Sequence, residues 1–498
     1  MSDTLHLTGA GLSVERLIAA ATGKHAITLA PDGLSRMAKT HAFVTTAIEN
    51  KTPVYGVTTG LGARATEVLD AQTLSAFSTQ TVRGRAHASG KMLPSDVTRA
   101  AVITRVNTLL SGCAAARPEV AAHMVACLNA GLIPVVGEIG SVGVADLLTN
   151  GSVGLAFIGE GDMQGDDGTV GPSAKMMQAK GIAPLDLAPR DGLSMISHSG
   201  PSVALAAFAV YETGVAYEAL QTCAALSMEG FRANVGPMDP DVLAVKPHPG
   251  QAAAAAGLRH ALDGSALWAE GAARRLQDPL SFRNIVHIHG PLHTALDAAR
   301  DCVLIELNGS SDNPVALIDR AALVSNGAYL AGEIAVMMDY VARAAVPVAM
   351  ASLARIAKLL NPVFTDLPPF LAMPGSTSNG LAPLTKSAEA LVARIVQAAQ
   401  PTPVWPSVSA NGVEDVLTNA PLSAASLRTI AADLVHLAAL EALTACQAID
   451  LRGVAPDLGP TLRDTHQAIR AVSDVVTEDR PLSRDINQLT ALLRKRSR

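Results

Sequence analysis

The sequence predicts a mainly α-helical protein in which a loop-rich N-terminal region, residues 1–200, leads into a bundle of long helices over residues 201–498, the whole forming one continuous fold. Two observations predict it. The first 200 residues interrupt short helical periods with repeated glycine and proline. From about Val203 the texture changes to alanine- and leucine-rich stretches: Val203 to Phe231, Pro291 to Asn308, Ala328 to Leu360, Pro383 to Ala399 and Leu422 to Ile449. Several exceed about 20 residues, or roughly 30 Å of helix, and helices of that length bury their apolar surface by packing side by side.

Within the first region, Leu34, Met37, Ala38, Val44, Ala47 and Ile48 recur at helical spacing and stop before Lys51-Thr52-Pro53, where proline disfavours further helix. A glycine loop follows from Tyr55 to Gly62. Two more helices are expected at about Arg99 to Leu110 and Glu119 to Ala130, each closed by glycine or proline. Between the long helices lie polar loops such as Lys246-Pro247-His248-Pro249-Gly250, Ser311-Asp312-Asn313-Pro314 and Pro401-Thr402-Pro403. No internal repeat is present.

Only 16% of the 498 residues are charged and mean hydropathy is positive, so much surface must be buried, in part between subunits; an oligomer is expected. A net charge of −6 without long basic runs gives no footprint for nucleic acid. Five cysteines, Cys113, Cys127, Cys223, Cys302 and Cys446, are scattered without a C-x-x-C pair, which fits a reduced cytoplasmic location and neither a disulfide framework nor a zinc site. The N-terminus lacks a basic start followed by an apolar core, and no run of eighteen apolar residues occurs, so neither processing nor a membrane partner is expected.

Several segments carry candidate chemistry. Thr52-Pro53-Val54-Tyr55-Gly56-Val57-Thr58-Thr59-Gly60-Leu61-Gly62 presents Tyr55 on a glycine loop. A tyrosine acts as a base only where a cation or donor stabilises its phenolate, and alone such a residue more often caps a surface turn. Gln277-Asp278-Pro279-Leu280-Ser281-Phe282-Arg283 offers an arginine whose planar fork suits a carboxylate, although an arginine can equally serve a structural ion pair. Glu306-Leu307-Asn308-Gly309-Ser310-Ser311-Asp312-Asn313-Pro314 ends on Asn313, a hydrogen-bonding amide in what is also an ordinary turn signal. Ser409-Ala410-Asn411-Gly412-Val413-Glu414-Asp415 carries Glu414. His287, His289 and His293 have metal-ligand appeal, but no third firm ligand follows from their spacing; no metal is expected, and His287 is read as lining the pocket after Arg283.

Taken together, these segments resemble the histidine, phenylalanine and tyrosine ammonia-lyases over roughly residues 5 to 455. The resemblance implies their fold, with Tyr55 in the place of the catalytic tyrosine, Gln277, Arg283 and Asn313 around the substrate carboxylate, and His87 and Glu414 near the substrate ring. Glu414 points to an imidazole-type substrate, since the stretch around it is similar to a histidine-lyase segment with one residue inserted. The resemblance also implies a small histidine-type substrate and a homotetramer whose sites are shared between subunits, the loop tyrosine from one and the carboxylate clamp from another.

The most informative stretch, residues 137–161, GEIGSVGVADLLTNGSVGLAFIGEG, departs from that family. There a G-S-V-G run precedes Ala-Ser-Gly, which cyclises into methylidene-imidazolone, and then Asp-Leu. Here Gly140-Ser141-Val142-Gly143 is followed by Val144-Ala145 and directly by Asp146-Leu147, so the serine has no counterpart and the cofactor is expected to be absent. The single Ala88-Ser89-Gly90 lies in a different family loop and is read as coincidence, because cyclisation needs a strained backbone. Ser197 stands where the family has a cofactor-supporting asparagine, Leu280 replaces a tyrosine, and Lys386 occupies a usually uncharged position from which it is expected to reach toward Glu414. These departures resemble ergothionase-type members, which lack the imidazolone and eliminate trimethylamine from ergothioneine. That resemblance implies Tyr55 as base and Lys386 with Glu414 activating a 2-thioimidazole ring; a histidine or other aromatic ammonia-lyase and a noncatalytic paralogue that binds a small amino acid are the alternatives.

Overall fold

A computed structural model describes residues 4–61, 69 and 71–497. Helices dominate. Pro31–Glu49, Ser95–Leu109 and Pro118–Asn129 answer the three short periods read from the sequence, and prolines at the first helical positions open two of them. The long helices are Gly200–Phe231, Ile285–Asn308, Gly332–Leu359, Leu384–Ala398 and Ala420–Arg452.

Two boundaries differ from the sequence expectation for physical reasons. The helix containing Pro291 begins at Ile285, so the proline sits inside it and His287 is helical; proline removes one donor there, but the helix packs through the break. The next helix starts at Gly332, four residues later than its alanine-rich pattern suggests, because Leu330 pairs with Val144 in an isolated bridge. Helices Ala71–Arg83, Pro460–Arg470 and Ser483–Arg496 are amphipathic but polar, without the alanine- and leucine-rich runs from which the long helices are read.

Two compact units form, each discontinuous in sequence. Residues 1–211, 300–338 and 402–425 make the first, and 212–299, 339–401 and 426–498 the second. The change of texture near residue 200 thus marks where long helices begin, while the first unit takes back two later segments. Among the described residues the strands form four small sheets, all in the first unit, including a parallel pair, Thr4–Leu7 with Ala26–Leu29, and antiparallel pairs Ser89–Met92 with Gly137–Ile139 and Val315–Leu317 with Ala322–Val324.

The second unit is organised around a buried ion pair. Arg355 and Glu441 are both fully buried and meet at 2.6 Å. Ser227 and Ser352 donate to the same carboxylate at 2.8 and 2.5 Å, so three long helices share one satisfied charge. A buried pair of this kind adds little net stability but leaves a costly orphan if either partner is removed.

Three helices, Asp191–Phe231, Gly332–Leu359 and Ala420–Arg452, are long and apolar enough by length and composition to cross a membrane, although none of them is an uninterrupted apolar run. Their most apolar windows are 100%, 56% and 83% buried within the protein, so packing accounts for most of that apolarity.

Glu229, in the second unit, is buried, and one carboxylate oxygen lacks a partner among the described residues. Burial pushes its carboxyl up to about 7, helped by Asp457 and opposed by a hydrogen bond from Ser265. Because the folded value lies above the ordinary 4.5, the stability linked to this proton is complete below about that pH and is lost as pH rises through about 7. Glu229→Gln is therefore expected to flatten the fall in thermal midpoint between pH 5 and pH 8; an unchanged pH dependence contradicts the assignment.

Candidate active site

The first unit contains a cavity of about 730 Å³ lined by Tyr55, Asn313 and Glu414, together with Val144, Ala145, Ser197 and Tyr329. The volume lies in the range of small-molecule sites. Three residues from distant parts of the sequence, each singled out by its motif, are brought to one cavity.

Tyr55 is held by the turn that follows it. The Thr58 hydroxyl donates to the Thr52 carbonyl at 2.6 Å and accepts the Val54 N–H at 2.8 Å. Gly56 has φ +63°, and a Cβ there would collide with the Leu193 side chain, so glycine alone fits beside the tyrosine. Val57 packs with Val44, Ala115 and Ala316. Gly62, the last residue of the loop motif, lies outside the described residues.

Another wall includes Val144 and Ala145, in a main chain that is held on both sides. On one edge the Ala145 N–H donates to the Tyr329 carbonyl and the Ala331 N–H to the Gly143 carbonyl, both at 3.0 Å, bridging Val144 to Leu330. On the other, Thr418 and Asn419 donate their N–H groups to the Val142 carbonyl at 3.0 and 2.8 Å. The Ala145 carbonyl accepts from the Asn150 side chain at 3.0 Å and the His198 N–H at 3.2 Å. Gly143, Ala145 and Asp146 all have positive φ, a strained run of the sort that clusters at functional sites. Asp146 is buried and accepts from Ser141 and from the Ser202 N–H and hydroxyl, at 2.8 and 2.7 Å for the last two. Burial raises its carboxyl and these bonds oppose the rise. Beneath this wall His198 is buried; burial first, then Arg105, hold its ring neutral, with Nδ1 accepting the Gly200 N–H.

Asn313 is positioned by a buried cationic hub. Arg105 makes a forked pair with Asp312 at 2.7 and 2.9 Å and donates to the Ser194 carbonyl at 2.5 Å. Arg190 donates to the Asn313, Pro314 and Ala114 carbonyls at 3.4, 2.8 and 2.7 Å. Burial pushes the Asp312 carboxyl up, but the two arginines outweigh it and hold it below the ordinary range. Burial also lowers Arg190 to about 10. The hub thereby ties the helix Ser95–Leu109, the helix Asp191–Ile196 and the Asn313 loop to one point.

Glu414 closes a tight loop. Ala410, Asn411 and Gly412 all have positive φ, and Ser409 pairs with Glu414. Asp415 lines the cavity beside Glu414, while Arg85 is a basic residue in its wall. Two residues on, His87 is exposed and does not line the cavity of this chain. Ser89 sits in a paired, exposed strand outside the cavity.

Gln277, Arg283, His287 and Lys386 belong to the second unit. Arg283 donates to the Gln277 side-chain oxygen at 2.9 Å, and both side chains face solvent. Their segment is anchored from behind: Asp278 accepts the Asn234 N–H at 2.6 Å, Phe282 stacks on Phe231 at 4.1 Å, and the Ser281 carbonyl accepts from Arg355 at 3.3 Å. Leu280, at the family's tyrosine position, is 63% exposed. His287 is exposed and His289 fully buried, so they point to different sides of one helix. Among the described residues no group of three or more His, Cys, Asp or Glu is gathered to hold a metal. Lys386 stands in the first turn of Leu384–Ala398.

Nothing in the spacing marks Asp415 or Arg85 as cavity residues, and Tyr329, although preceded by the turn signal Asn326-Gly327, falls within an alanine-rich helical pattern.

The aromatic amino acid lyase family model matches residues 12–471. Histidine ammonia-lyase from Symbiobacterium thermophilum is 31% identical, covering 97% of this chain and 96% of its own length; that of Streptomyces coelicolor is 32% identical, covering 97% and 95%. Among solved structures, ergothionase from Treponema denticola, in complex with desmethyl-ergothioneine sulfonic acid, superimposes with TM-score 0.93 at 29% identity over 99% of both chains. Histidine ammonia-lyase from Trypanosoma cruzi gives 0.90 at 26% identity over 99% of this chain and 94% of its own. The chain has the fold of these enzymes, belongs to the aromatic amino acid lyase family and is a carbon–nitrogen lyase of the histidine ammonia-lyase type.

Proposed function

We propose that this chain is a cofactor-free lyase that eliminates trimethylamine from a histidine-derived betaine, ergothioneine, to give thiourocanate. One observation carries the proposal: the residues between Ser141 and Asp146 include no serine or cysteine to lose water, and the Ala145 N–H and the Val142, Gly143 and Ala145 carbonyls are already hydrogen-bonded. An imidazolone does not fit these residues. Ser141 is likewise engaged, donating to Asp146 and accepting the Gly143 N–H at 2.9 Å.

A quaternary ammonium has no lone pair with which to attack an electrophile and leaves as a neutral amine, so for such a substrate the missing ring is no loss. What remains necessary is a base, a carboxylate clamp and a group that acidifies the C–H. Tyr55, as the base, takes the proton from the carbon next to the ring. The C–H electron pair forms the new C=C bond, the C–N bond breaks, and its electrons leave on trimethylamine. Arg283 and Asn313 hold the carboxylate, with Gln277 orienting Arg283. Lys386 and Glu414 polarise the thioimidazole, and His87 and His287 flank the substrate. Asn313 lines the same cavity as Tyr55; we assign Arg283, with Gln277, to a neighbouring subunit of a homotetramer. The free cysteines fit a cytoplasmic enzyme. The identities to histidine ammonia-lyases favour a second reading, elimination of ammonia from histidine, which requires an electrophile.

Purified protein is expected to release trimethylamine from ergothioneine with growth of a thiourocanate absorbance; release of ammonia from histidine and no reaction with ergothioneine favours the second reading. Tyr55→Phe is expected to lower kcat by roughly 10²–10⁴-fold, the usual scale for losing a general base; unchanged turnover rejects Tyr55 as the base. Arg283→Lys keeps the charge but loses the planar fork, so KM for ergothioneine should rise at least roughly tenfold with a smaller change in kcat, and an unchanged KM removes Arg283 from the clamp.

A further inference from the structure

Asn313 lines the cavity, and which end of its amide faces a ligand decides what that wall can recognise. The side-chain oxygen lies 3.0 Å from the Asn326 main-chain nitrogen. A main-chain N–H can only donate, so this contact fixes the oxygen end of Asn313 toward residue 326. Among the described residues the Asn313 NH₂ has no protein partner, which leaves both its donors for a ligand while the oxygen end is held toward residue 326.

Asn326 is itself fastened by its side chain. Its NH₂ donates to the Asp312 carbonyl at 2.9 Å, and its side-chain oxygen accepts the Ala328 N–H at 2.8 Å. Asp312 is fixed by the fork of Arg105, and the Asn313 carbonyl by Arg190. The arginines thus immobilise the main chain of the Asn313 loop, while Asn326 takes up the remaining freedom, rotation of the amide.

We propose that Asn326 is a positioning residue that sets the polarity of Asn313, so that the cavity selects an anionic acceptor, the substrate carboxylate, over its uncharged carboxamide. This deepens the reading of Asn313 as a carboxylate contact and rests on it. Without the side-chain bonds of Asn326, to the Asp312 and Val324 carbonyls and from the Ala328 N–H, the 326–328 turn relaxes, its N–H leaves Asn313, and the amide turns freely between donor and acceptor faces.

The test uses imidazole-4-propionate and its carboxamide, unreactive ligands whose binding does not depend on which amine leaves. Their affinities are measured by titration calorimetry on the intact oligomer of the wild type, Asn326→Ala, Asn326→Ser and Asn313→Ala. The wild type should bind the acid at least roughly tenfold tighter than the amide. Because Arg283 also holds the carboxylate, Asn326→Ala should narrow that preference by roughly three- to tenfold, the scale of one hydrogen bond, through weaker acid binding with amide affinity within about twofold, and Asn326→Ser, which keeps one side-chain hydrogen bond, should fall between. Equal weakening of both ligands, a preference kept in both Asn326 variants, or no preference in the wild type overturns the assignment. A preference undiminished in Asn313→Ala overturns the contact to Asn313 itself, whatever the outcome with ergothioneine.

Discussion

Three residues of main chain, Gly143, Val144 and Ala145, are held between the 329–331 segment on one side and Thr418 and Asn419 at their N-terminal end, and the proposed chemistry of the cavity rests on that constraint. A peptide that must bend back on itself to form a ring needs a free amide nitrogen and a side chain able to lose water. Here the Ala145 nitrogen is spent on Tyr329 and the side chains are hydrogen, isopropyl and methyl. The same bonds bring Tyr329 against the cavity and delay the start of the following helix to Gly332.

Elsewhere the protein places functional groups by a common device. A buried arginine–carboxylate pair grips main-chain carbonyls, and the neighbouring polar side chain is left pointing outward. In the first unit Arg105, Asp312 and Arg190 hold the loop from which Asn313 lines the cavity. In the second, Arg355 paired to Glu441 holds the Ser281 carbonyl, two residues from Arg283. Such pairs contribute more to geometry than to net stability, and fixed donors that need no rearrangement are what a carboxylate clamp requires.

The long helices were legible because alanine and leucine repeat over many turns, and Tyr55, Asn313 and Glu414 because each sits in a distinctive local string. Boundaries were less so. Pro291 looked like a helix start but is carried inside a helix by packing. Tyr329 lay within an alanine-rich pattern, and only its partner across the chain, Ala145, pulls it out. The polar helices Pro460–Arg470 and Ser483–Arg496 lack the apolar runs that revealed the others. Of the segment around His87, Arg85 lines the cavity of this chain and His87 is exposed.

The most direct measurement is the mass of the intact purified chain, followed by that of the proteolytic peptide containing residues 137–161. A mass equal to that of the unmodified sequence is expected of a site that works without an internal electrophile. A mass lower by two waters, localised to that peptide or to the one containing Ser89, contradicts it.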